Sequence, residues 1–397
     1  MRKILKNALV INPVNGEILL RDLYIADGRI AAEFTGAADE VIDCTGLYVA
    51  PGLVDIHAHF RDPGFTHKET LETGAAAARA GGFTAVVCMA NTKPVIDTPE
   101  LLTAQIDASR ALAVNCYHAG CATTGQNGAE LTDFAALKRA GAAVISDDGQ
   151  AITDAAVMLK VLEAARDNGL VISTHSEDPR FPGRPAVAEE YMVARDLALA
   201  EYAAGAKLHI QHVTTAKSVA LIRAAKLRGL DVSAETCPHY LQLTNDGGQS
   251  TLRKVFPPLR TSEDVAAVIA GLADGTIDII ATDHAPHSAE EKALPYPEAP
   301  GGMEGLETAF SVCLTRLYHA GHLTLPELIR KMSYNPAERL GLAHGGVEAG
   351  DTADLLIFDP DELWTPTASD LKSKSRNNPF LGTELRGKVK RTLVAGR

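Results

Sequence analysis

Cysteine is scarce and scattered in this sequence, which argues against a disulfide-stabilised fold. The 397 residues contain six cysteines, none of them in a C-x-x-C pair, and several lie within apolar runs. Closely spaced cysteine pairs are typical of secreted disulfide frameworks, whereas isolated cysteines in apolar runs are typical of buried free thiols. We therefore predict free thiols and a reducing, cytoplasmic location.

Long apolar runs and an excess of positive charge are also missing. No stretch of 18 or more apolar residues occurs, and a membrane-spanning helix needs about that many. The short apolar run near the start is soon broken by Asn12 and Pro13, so it predicts a first β-strand rather than a signal peptide. The formal net charge of −12 argues against nucleic acid or an anionic membrane as the main partner.

A dinucleotide-binding G-x-G-x-x-G segment is absent as well, although the middle of the chain alternates apolar strands with Ala-rich helices. This alternation predicts an α/β fold with a parallel sheet, and eight strands over this length predict a (β/α)8 TIM-like barrel. A doubly wound open sheet is the structural alternative. The predicted strands are Leu53–His57, Thr84–Met89, Ala113–His118, Ala142–Ser146, Leu170–His175, Lys207–His212, Asp231–Glu235 and Asp278–Thr282.

Both ends of the chain differ from this middle part. Residues 1–50 contain short strands separated by hairpin turns at Asn15-Gly16 and Asp27-Gly28, and Gly350–Pro360 returns to strand-like alternation. Neither end has enough apolar residues for a core of its own. We therefore predict that 1–50 and 345–397 together form a small β-sandwich domain, and that 51–344 form the barrel.

The segment PGLVDIHAHFR, at the first predicted barrel strand, is the first candidate for chemistry. His57 and His59 are two residues apart, so in an extended strand their side chains share a face, and Arg61 shares it if the strand continues. Two imidazoles on one face at a strand end are typical of metal ligands. On their own, they are equally compatible with two polar residues that end a strand.

Four other predicted strands end in comparable polar residues. Chemistry in barrels of this type takes place at the carboxyl ends of the strands. Together the strand ends supply four histidines and two carboxylates, enough donors for two divalent ions that share one carboxylate. Spacing alone leaves open whether Asp147 or Asp148 is shared. The remaining candidates are His175, His212 and Asp283.

These strand ends resemble the amidohydrolase superfamily. The strings PGLVDIHAHFRDPG, SDDG, ETCPHYL, PPLR, DGTIDIIATDHAPH and GLETA resemble, within it, the type I dihydroorotases, over nearly the whole chain. The resemblance implies two zinc ions per subunit. By that resemblance His57, His59 and Asp283 bind one ion, and His175 and His212 bind the other. Asp148 and a hydroxide bridge them, since no lysine lies in 142–148 to serve as a carboxylated bridge.

The same resemblance implies the reaction and its residues. It implies reversible hydrolysis of (S)-dihydroorotate to N-carbamoyl-L-aspartate, a step of pyrimidine biosynthesis, with the bridging hydroxide as nucleophile and Asp283 as general acid and base. The implied partners are a small carboxylate-bearing substrate, further copies of the chain in a homodimer or larger homo-oligomer, and aspartate transcarbamoylase. The implied substrate-binding residues are Arg61, Asn91, His287 and Gly302. His118 and His239 are interpreted as loop or supporting residues.

Two positions depart from the family pattern. Phe256 replaces the asparagine expected before Pro257-Pro258-Leu259-Arg260, and Gly301 replaces an aromatic residue expected before Gly302. We interpret them as a compensating exchange. The exchange leaves open another cyclic-amide hydrolase of the hydantoinase, dihydropyrimidinase or allantoinase kind. A third alternative is a non-catalytic partner of aspartate transcarbamoylase, but proteins of that kind tend to lack metal ligands.

Overall fold

In the computed structural model, which describes residues 1–343 and 346–397, fifteen strands form two β-sheets. The first five and the last two strands form one sheet, and the middle eight form the other. In chain order the strands are β1 (Arg2–Asn12), β2 (Glu17–Ala26), β3 (Arg29–Ala31), β4 (Glu40–Asp43), β5 (Tyr48–Pro51), β6 (Leu53–Ala58), β7 (Phe83–Cys88), β8 (Asn115–Gly120), β9 (Val144–Ile145), β10 (Val171–Thr174), β11 (Lys207–Ile210), β12 (Val232–Thr236), β13 (Ile279–Ile280), β14 (Leu355–Trp364) and β15 (Leu385–Leu393).

Twelve α-helices lie among the described residues, together with four short 3₁₀ or π segments. The helices are α1 (Leu71–Ala80), α2 (Pro99–Ser109), α3 (Phe134–Ala140), α4 (Ala155–Asn168), α5 (Ala186–Tyr202), α6 (Ala216–Leu227), α7 (His239–Gln242), α8 (Ser262–Ala273), α9 (Ala289–Lys292), α10 (Leu306–Cys313), α11 (Leu325–Ile329) and α12 (Asn335–Leu340).

The eight-stranded sheet is a parallel barrel. Strands β6 to β13 pair in chain order, each parallel to its neighbour. A parallel bridge between Ala58 and His284 closes the circle, and the His59 N–H donates to the His284 carbonyl at 2.8 Å. This closure confirms the predicted (β/α)8 class and excludes the doubly wound alternative.

The barrel forms because its strands are apolar on both faces and its helices are capped. Every residue of β6 and of β7 is buried, as expected when helices cover the outside of a parallel sheet. Helix α4 begins at the Asp154 carboxylate, which accepts from two backbone N–H groups, and ends at Gly169, whose φ of 62° favours glycine. Local sequence signals therefore set the helix lengths that bring the strands into register.

The seven-stranded sheet joins the two ends of the chain. Strand β14 lies antiparallel to β5 and to β15, so the C-terminal strands continue the sheet that β1 and β2 begin. It has a separate apolar core that includes Leu23, Ile25 and Leu355. The predicted pairing of the two ends is confirmed. The division into 1–50 plus 345–397 and 51–344 stays a prediction, and its boundary at 344/345 lies outside the described residues.

Some elements differ from the prediction. Strands β4 and β5 were not predicted, because each spans only four residues and turn formers such as Gly36, Asp39 and Gly46 lie beside them. Strands β9 and β13 pair over only two residues each, since the chain leaves the ladder early to present polar side chains. Helices α7 and α9 to α12 were not predicted either. No helix in the described part of the chain is long and apolar enough to span a membrane.

Candidate metal centre and substrate cavity

Six side chains with metal-ligand chemistry converge at the carboxyl ends of the barrel strands. They come from the ends of β6, β9, β10, β11 and β13. They form two groups, and within each group the candidate ligand atoms lie within 4.8 Å of one another. The first group is His57, His59 and Asp283, and the second is Asp148, His175 and His212. The structure thus brings together all six of the predicted metal ligands.

Asp148 lies between the two groups. Its Oδ1 is 3.3 Å from His57 Nε2 and 3.4 Å from His175 Nδ1, and its Oδ2 is 3.2 Å from His59 Nε2. Asp147 points elsewhere, because its carboxylate accepts from the Ala122 and Thr123 backbone N–H groups. Of the two aspartates between which spacing could not choose, Asp148 is the one whose carboxylate reaches both groups.

Two buried atoms of these groups have no hydrogen-bond partner among the described residues. They are His57 Nε2 and Asp148 Oδ1. A buried polar atom without a partner is destabilising unless something else satisfies it. Nitrogen and carboxylate donors at this spacing suit a divalent transition metal. The residues present therefore fit a metal.

The carboxylates here are strongly favoured in their charged forms. Burial raises the pKa of Asp148, but the nearby His57, His175 and His59 outweigh it and hold that pKa well below its usual range. Asp283 follows the same pattern: burial opposes the lowering, and the charges of His57 and His59 prevail, so its pKa is lowered. Burial, followed by the charges of His175 and His57, lowers the pKa of His212 to about 3. Charged carboxylates and a neutral imidazole are the forms that bind metals.

A series of buried, hydrogen-bonded side chains orients the His57 ring. His57 Nδ1 lies 2.6 Å from Glu235 Oε1, and the other oxygen of Glu235 lies 3.0 Å from His209 Nε2. This series of hydrogen bonds ends at Ser233, whose hydroxyl lies 2.8 Å from His209 Nδ1. A carboxylate on one ring nitrogen fixes the orientation of the imidazole and makes the other nitrogen a better ligand. Sequence reasoning missed Glu235; the one available signal was a carboxylate inside an apolar strand.

Hydrogen bonds also join the two parts of the first group where the first and last barrel strands meet. The Asp55 carboxylate accepts from the backbone N–H groups of His57 and Thr282, each at 3.1 Å, and from the Thr282 hydroxyl. Asp283 follows with a φ of 47°, a left-handed conformation that is strained for a residue other than glycine. The carboxylate of Asp55 therefore holds the first and last strand ends together in the geometry that aims Asp283 inward.

The metal-ligand groups open into a cavity of about 390 Å³. All four predicted substrate-binding residues line it, together with Arg184, Phe256 and Gly301. Arg61 Nε donates to the Pro286 carbonyl at 3.2 Å, and its Nη2 lies 3.5 Å from His287 Nε2. Asn91 Oδ1 lies 2.8 Å from His59 Nδ1. Asn91 therefore contacts a predicted metal ligand as well as the cavity.

His287 is a neutral neighbour of Arg61. Burial, followed by the charges of Arg61 and Lys68, lowers the pKa of His287 to about 3. Its Nε2 lies 2.9 Å from the Gly301 carbonyl, to which an N–H at that position donates. Gly302 has a φ of 131°, and a Cβ there would lie 2.5 Å from the Ala285 carbonyl oxygen. Only glycine fits at this point of the cavity wall.

A C-terminal strap, residues 373–378, braces this side of the cavity. The Ser375 hydroxyl donates to the His287 carbonyl at 2.8 Å, and the Asn377 side-chain amide donates to the Gly302 carbonyl at 3.0 Å. The His287 N–H donates to Asn377 Oδ1 at 3.3 Å. Ser375 and Asn377 are buried, although the strap lies outside every helix and strand. A segment from the chain's end thus fixes two predicted substrate-binding residues.

Phe256 and Gly301 fit each other directly. A Cβ built on Gly301 would lie 2.6 Å from the Phe256 ring, a separation that carbon atoms do not adopt without a shift. The Arg184 guanidinium lies over the Phe256 ring at 4.0 Å, where a cation–π attraction operates. Arg184 in turn pairs with the buried Glu177. An aromatic side chain at 301 is therefore incompatible with Phe256 in this position, which supports the interpretation of a compensating exchange.

His118 and His239, which were interpreted from the sequence as loop or supporting residues, lie outside both metal-ligand groups. His118, in β8, is buried, and its Nε2 lies 2.7 Å from the Ser109 hydroxyl of α2. Burial lowers its pKa to about 4. His239 begins α7, and burial lowers its pKa to about 4 as well. Neither joins a candidate metal-ligand group, in agreement with their predicted supporting roles.

Comparison with known proteins identifies the class that this fold and site define. The Amidohydrolase family pattern matches residues 48–397. The chain therefore belongs to the amidohydrolase family.

Relatives along the whole chain narrow the comparison. A dihydroorotase of Ruminiclostridium cellulolyticum is 44% identical over 419 residues, covering 100% of this chain and 98% of the relative. A dihydroorotase of Pelotomaculum thermopropionicum is 45% identical over 419 residues, with the same coverage. The resemblance predicted from the strand-end motifs is confirmed.

Solved structures of similar fold include hydantoinases. L-hydantoinase (dihydropyrimidinase) from Arthrobacter aurescens aligns with a TM-score of 0.90 and 27% identity, covering 100% of this chain and 95% of that one. A D-hydantoinase aligns with a TM-score of 0.88 at 24% identity, which shows the shared fold alone. The fold of this chain, over its full length, is therefore shared with these hydantoinases.

Proposed function

We propose that the protein catalyses the dihydroorotase reaction, the reversible hydrolysis of (S)-dihydroorotate to N-carbamoyl-L-aspartate. The observation that carries this proposal is the layout of one cavity. Two His/Asp groups lie on one side of it, and Arg61 lies with the neutral His287 on another. A cyclic amide with a carboxylate substituent needs a metal site for its ring carbonyl and a cation for its carboxylate. The full-length similarity to dihydroorotases supports the same reaction.

We further propose that the metals are two zinc ions. His57, His59 and Asp283 would hold one, His175 and His212 the other, and Asp148 both, because its oxygens reach both groups. Bound there, the ions would polarise the ring carbonyl and lower the pKa of a bound water. Metal analysis of the purified protein tests the number and the element.

Asp283 is the proposed proton carrier. Its carboxylate Oδ1 lies 3.2 Å from His59 Nε2, at the edge of the first group, where it can accept a proton as water adds to the ring carbonyl carbon. When the carbon–nitrogen bond breaks, the same carboxyl group delivers that proton to the leaving nitrogen. One group thus serves as base and then as acid, and the overall reaction consumes one water.

Arg61 is the proposed carboxylate anchor. A guanidinium can bind a carboxylate through two parallel hydrogen bonds. The Pro286 carbonyl holds the Arg61 side chain in place, and Asn91 and Gly302 complete the wall. We expect Arg61→Ala to raise the Michaelis constant for dihydroorotate mainly, with Arg223→Ala, on the surface, as the matched control. Unchanged kinetics in Arg61→Ala would contradict the anchor.

Substrate preference tests the proposal as a whole. Zinc-reconstituted protein is assayed on dihydroorotate, dihydrouracil, hydantoin and allantoin, and we expect a clear preference for dihydroorotate. Preference for another ring would favour the alternative, a hydantoinase, dihydropyrimidinase or allantoinase activity. That alternative is kept because Phe256, with Gly301 against it, lines the cavity. No turnover on any of the four, with metal bound, would favour a non-catalytic role.

Assembly and location are two further proposals. We propose a homodimer or larger homo-oligomer, which light scattering after size exclusion tests, and association with aspartate transcarbamoylase, which co-purification tests. The cytoplasmic location rests on the cysteines. All six lie among the described residues, and all six are free thiols.

A further inference from the structure

A second cavity, of about 380 Å³, adjoins the catalytic one. Arg184 and Phe256 line both cavities, so these two side chains form the partition between them. The far side of the second cavity is formed by Arg253, Lys254 and Tyr296, which belong to loops that no step of the proposed reaction uses. Its volume lies in the range of small-molecule sites, about 300–1,000 Å³.

The charge of this cavity is opposite to that of the protein. The protein has a net charge of −12, yet three cations and no carboxylate line the cavity. Arg184 is paired with Glu177. In the described part of the chain, no ion pair is found for Arg253 or Lys254. The cavity therefore carries positive charge that the surrounding side chains do not neutralise.

Backbone carbonyls hold these two cations in place. Arg253 Nη2 donates to the Thr244 carbonyl at 2.7 Å. Lys254 Nζ donates to the carbonyls of Tyr296 at 2.6 Å and Pro297 at 3.2 Å. A carbonyl orients a cation without removing its charge. Cations that are fixed in place and line one cavity are the usual recognition elements for phosphate groups.

The remaining lining favours a ligand with more than a phosphate. The rings of Phe256 and Tyr296 and the side chains of Val255 and Leu259 provide apolar surface, and Asn245 can both donate and accept hydrogen bonds. A lone inorganic anion would leave most of this surface uncovered. A sugar or nucleoside phosphate would match charge, apolar surface and size together.

We propose that this second cavity is a binding site for a small phosphorylated metabolite, such as a nucleoside monophosphate or a sugar phosphate, distinct from the catalytic cavity. Arg253 and Lys254 bind the phosphate, and the aromatic walls cover the sugar or base. The site does not depend on which ring the catalytic cavity hydrolyses.

Calorimetry on the zinc-loaded protein tests this site. The probes are adenosine 5′-monophosphate, ribose 5-phosphate and adenosine. We expect saturable binding of both phosphates, weaker at higher salt because the contact is electrostatic, and little binding of adenosine. Binding to the phosphates should persist when N-carbamoyl-aspartate saturates the catalytic cavity. Comparison of the two phosphates shows whether the base is recognised.

Variants of Arg253 locate the site. We expect Arg253→Gln to weaken adenosine monophosphate binding at least tenfold, and Arg253→Lys to retain more of it. Arg223→Gln, which removes an exposed, ion-paired arginine elsewhere, should bind as the wild type does. If Arg253→Gln fails to fold, hydrogen exchange on the wild type replaces it: the ligand should protect residues 244–256.

Three results would overturn the proposal. One is no saturable binding of either phosphate at millimolar concentration. Another is loss of binding when the catalytic cavity is filled, which would place the ligand at the metals. The third is binding that Arg253→Gln leaves unchanged, or protection that does not include residues 244–256.

Discussion

The two sides of the catalytic cavity are built differently. On the metal side, six side chains project from barrel strand ends, each of them buried, and buried groups such as Glu235 and Asp55 support them. On the facing wall, Arg184, Phe256 and Gly301 come from three loops and are partly exposed. The metal side carries the strand-end motifs that resemble the family, whereas the wall carries Phe256 and Gly301, the two positions that depart from the expected family pattern.

The difference shows where variation is tolerated. A strand end is fixed by its neighbours in the ladder, so a change there disturbs the whole barrel rim. A loop side chain is fixed by a few partners, and the Phe256 ring occupies the space that a side chain at 301 would need. We therefore expect substitutions on the metal side to affect turnover and metal affinity, and substitutions on the wall to affect substrate selection and local packing.

The largest expected effect is at Asp283. Asp283→Asn keeps the shape of the side chain but removes its ability to carry a proton, so we expect kcat to fall about 10³-fold, within the range for loss of a general base. Steady-state kinetics on dihydroorotate measure it, and metal analysis shows whether the ions are retained. A kcat within tenfold of the wild type would contradict the role of Asp283.

The next effect is at Glu235, which contacts His57 but faces away from the cavity. Glu235→Gln removes the charge behind the imidazole, and we expect metal affinity to fall about 10–100-fold. Competition with a chelator measures this affinity. Ser233→Ala, which removes only the last hydrogen bond of the same side-chain series, should have a smaller effect. Equal affinities in all three proteins would mean that Glu235 does not support the metal side.

A smaller effect is expected on the wall. Gly301→Ala places a Cβ against the Phe256 ring, and we expect it to lower the free energy of unfolding by about 1–2 kcal/mol. In a Phe256→Ala background the same substitution should be nearly neutral, because the ring is gone. Urea denaturation of the four proteins gives the coupling. Additive effects would show that the two positions do not contact each other as described.

The smallest expected effect is at His118, which belongs to neither the metal side nor the facing wall of the catalytic cavity. Its pKa is lowered to about 4 when folded, whereas the unfolded value is about 6.5, so between these values the unfolded state binds a proton that the folded state does not. The contribution of His118 to the free energy of unfolding is therefore complete only above pH 6.5. It decreases as the pH falls, by about 1 kcal/mol between pH 6.5 and 5.5.

His118→Asn should flatten this dependence, and denaturant midpoints at the two pH values test it. The loss that remains in His118→Asn measures the acid sensitivity of the rest of the molecule, including the metal side. An unchanged slope would mean that His118 already binds its proton in the folded state at these pH values.

The metal side was predictable from sequence because its signals are local. His57 and His59 lie two residues apart, and each of the other candidate ligands lies within three residues of the end of a barrel strand. Glu235 was not found, because its role depends on which strand faces it across the barrel. The partition of Phe256 and Arg184 was not found either, since the two residues are 72 positions apart and meet only through tertiary packing.

The C-terminal strap was hidden for a different reason. Its Ser, Lys and Asn residues have the composition of an exposed loop, yet Ser375 and Asn377 are buried. Backbone and side-chain hydrogen bonds to His287 and Gly302 satisfy them there. Composition reports the polarity of a segment and does not reveal when partners inside the protein replace water.

The position of that strap near the end of the chain has a consequence for biosynthesis. A ribosome completes every candidate metal ligand by residue 283, about a hundred residues before the chain ends. His287 and Gly302 gain their braces only after residues 375 and 377 have left the exit tunnel. A nascent or prematurely ended chain can therefore carry a full set of candidate metal donors before the side of the cavity proposed to bind the substrate carboxylate is held in place.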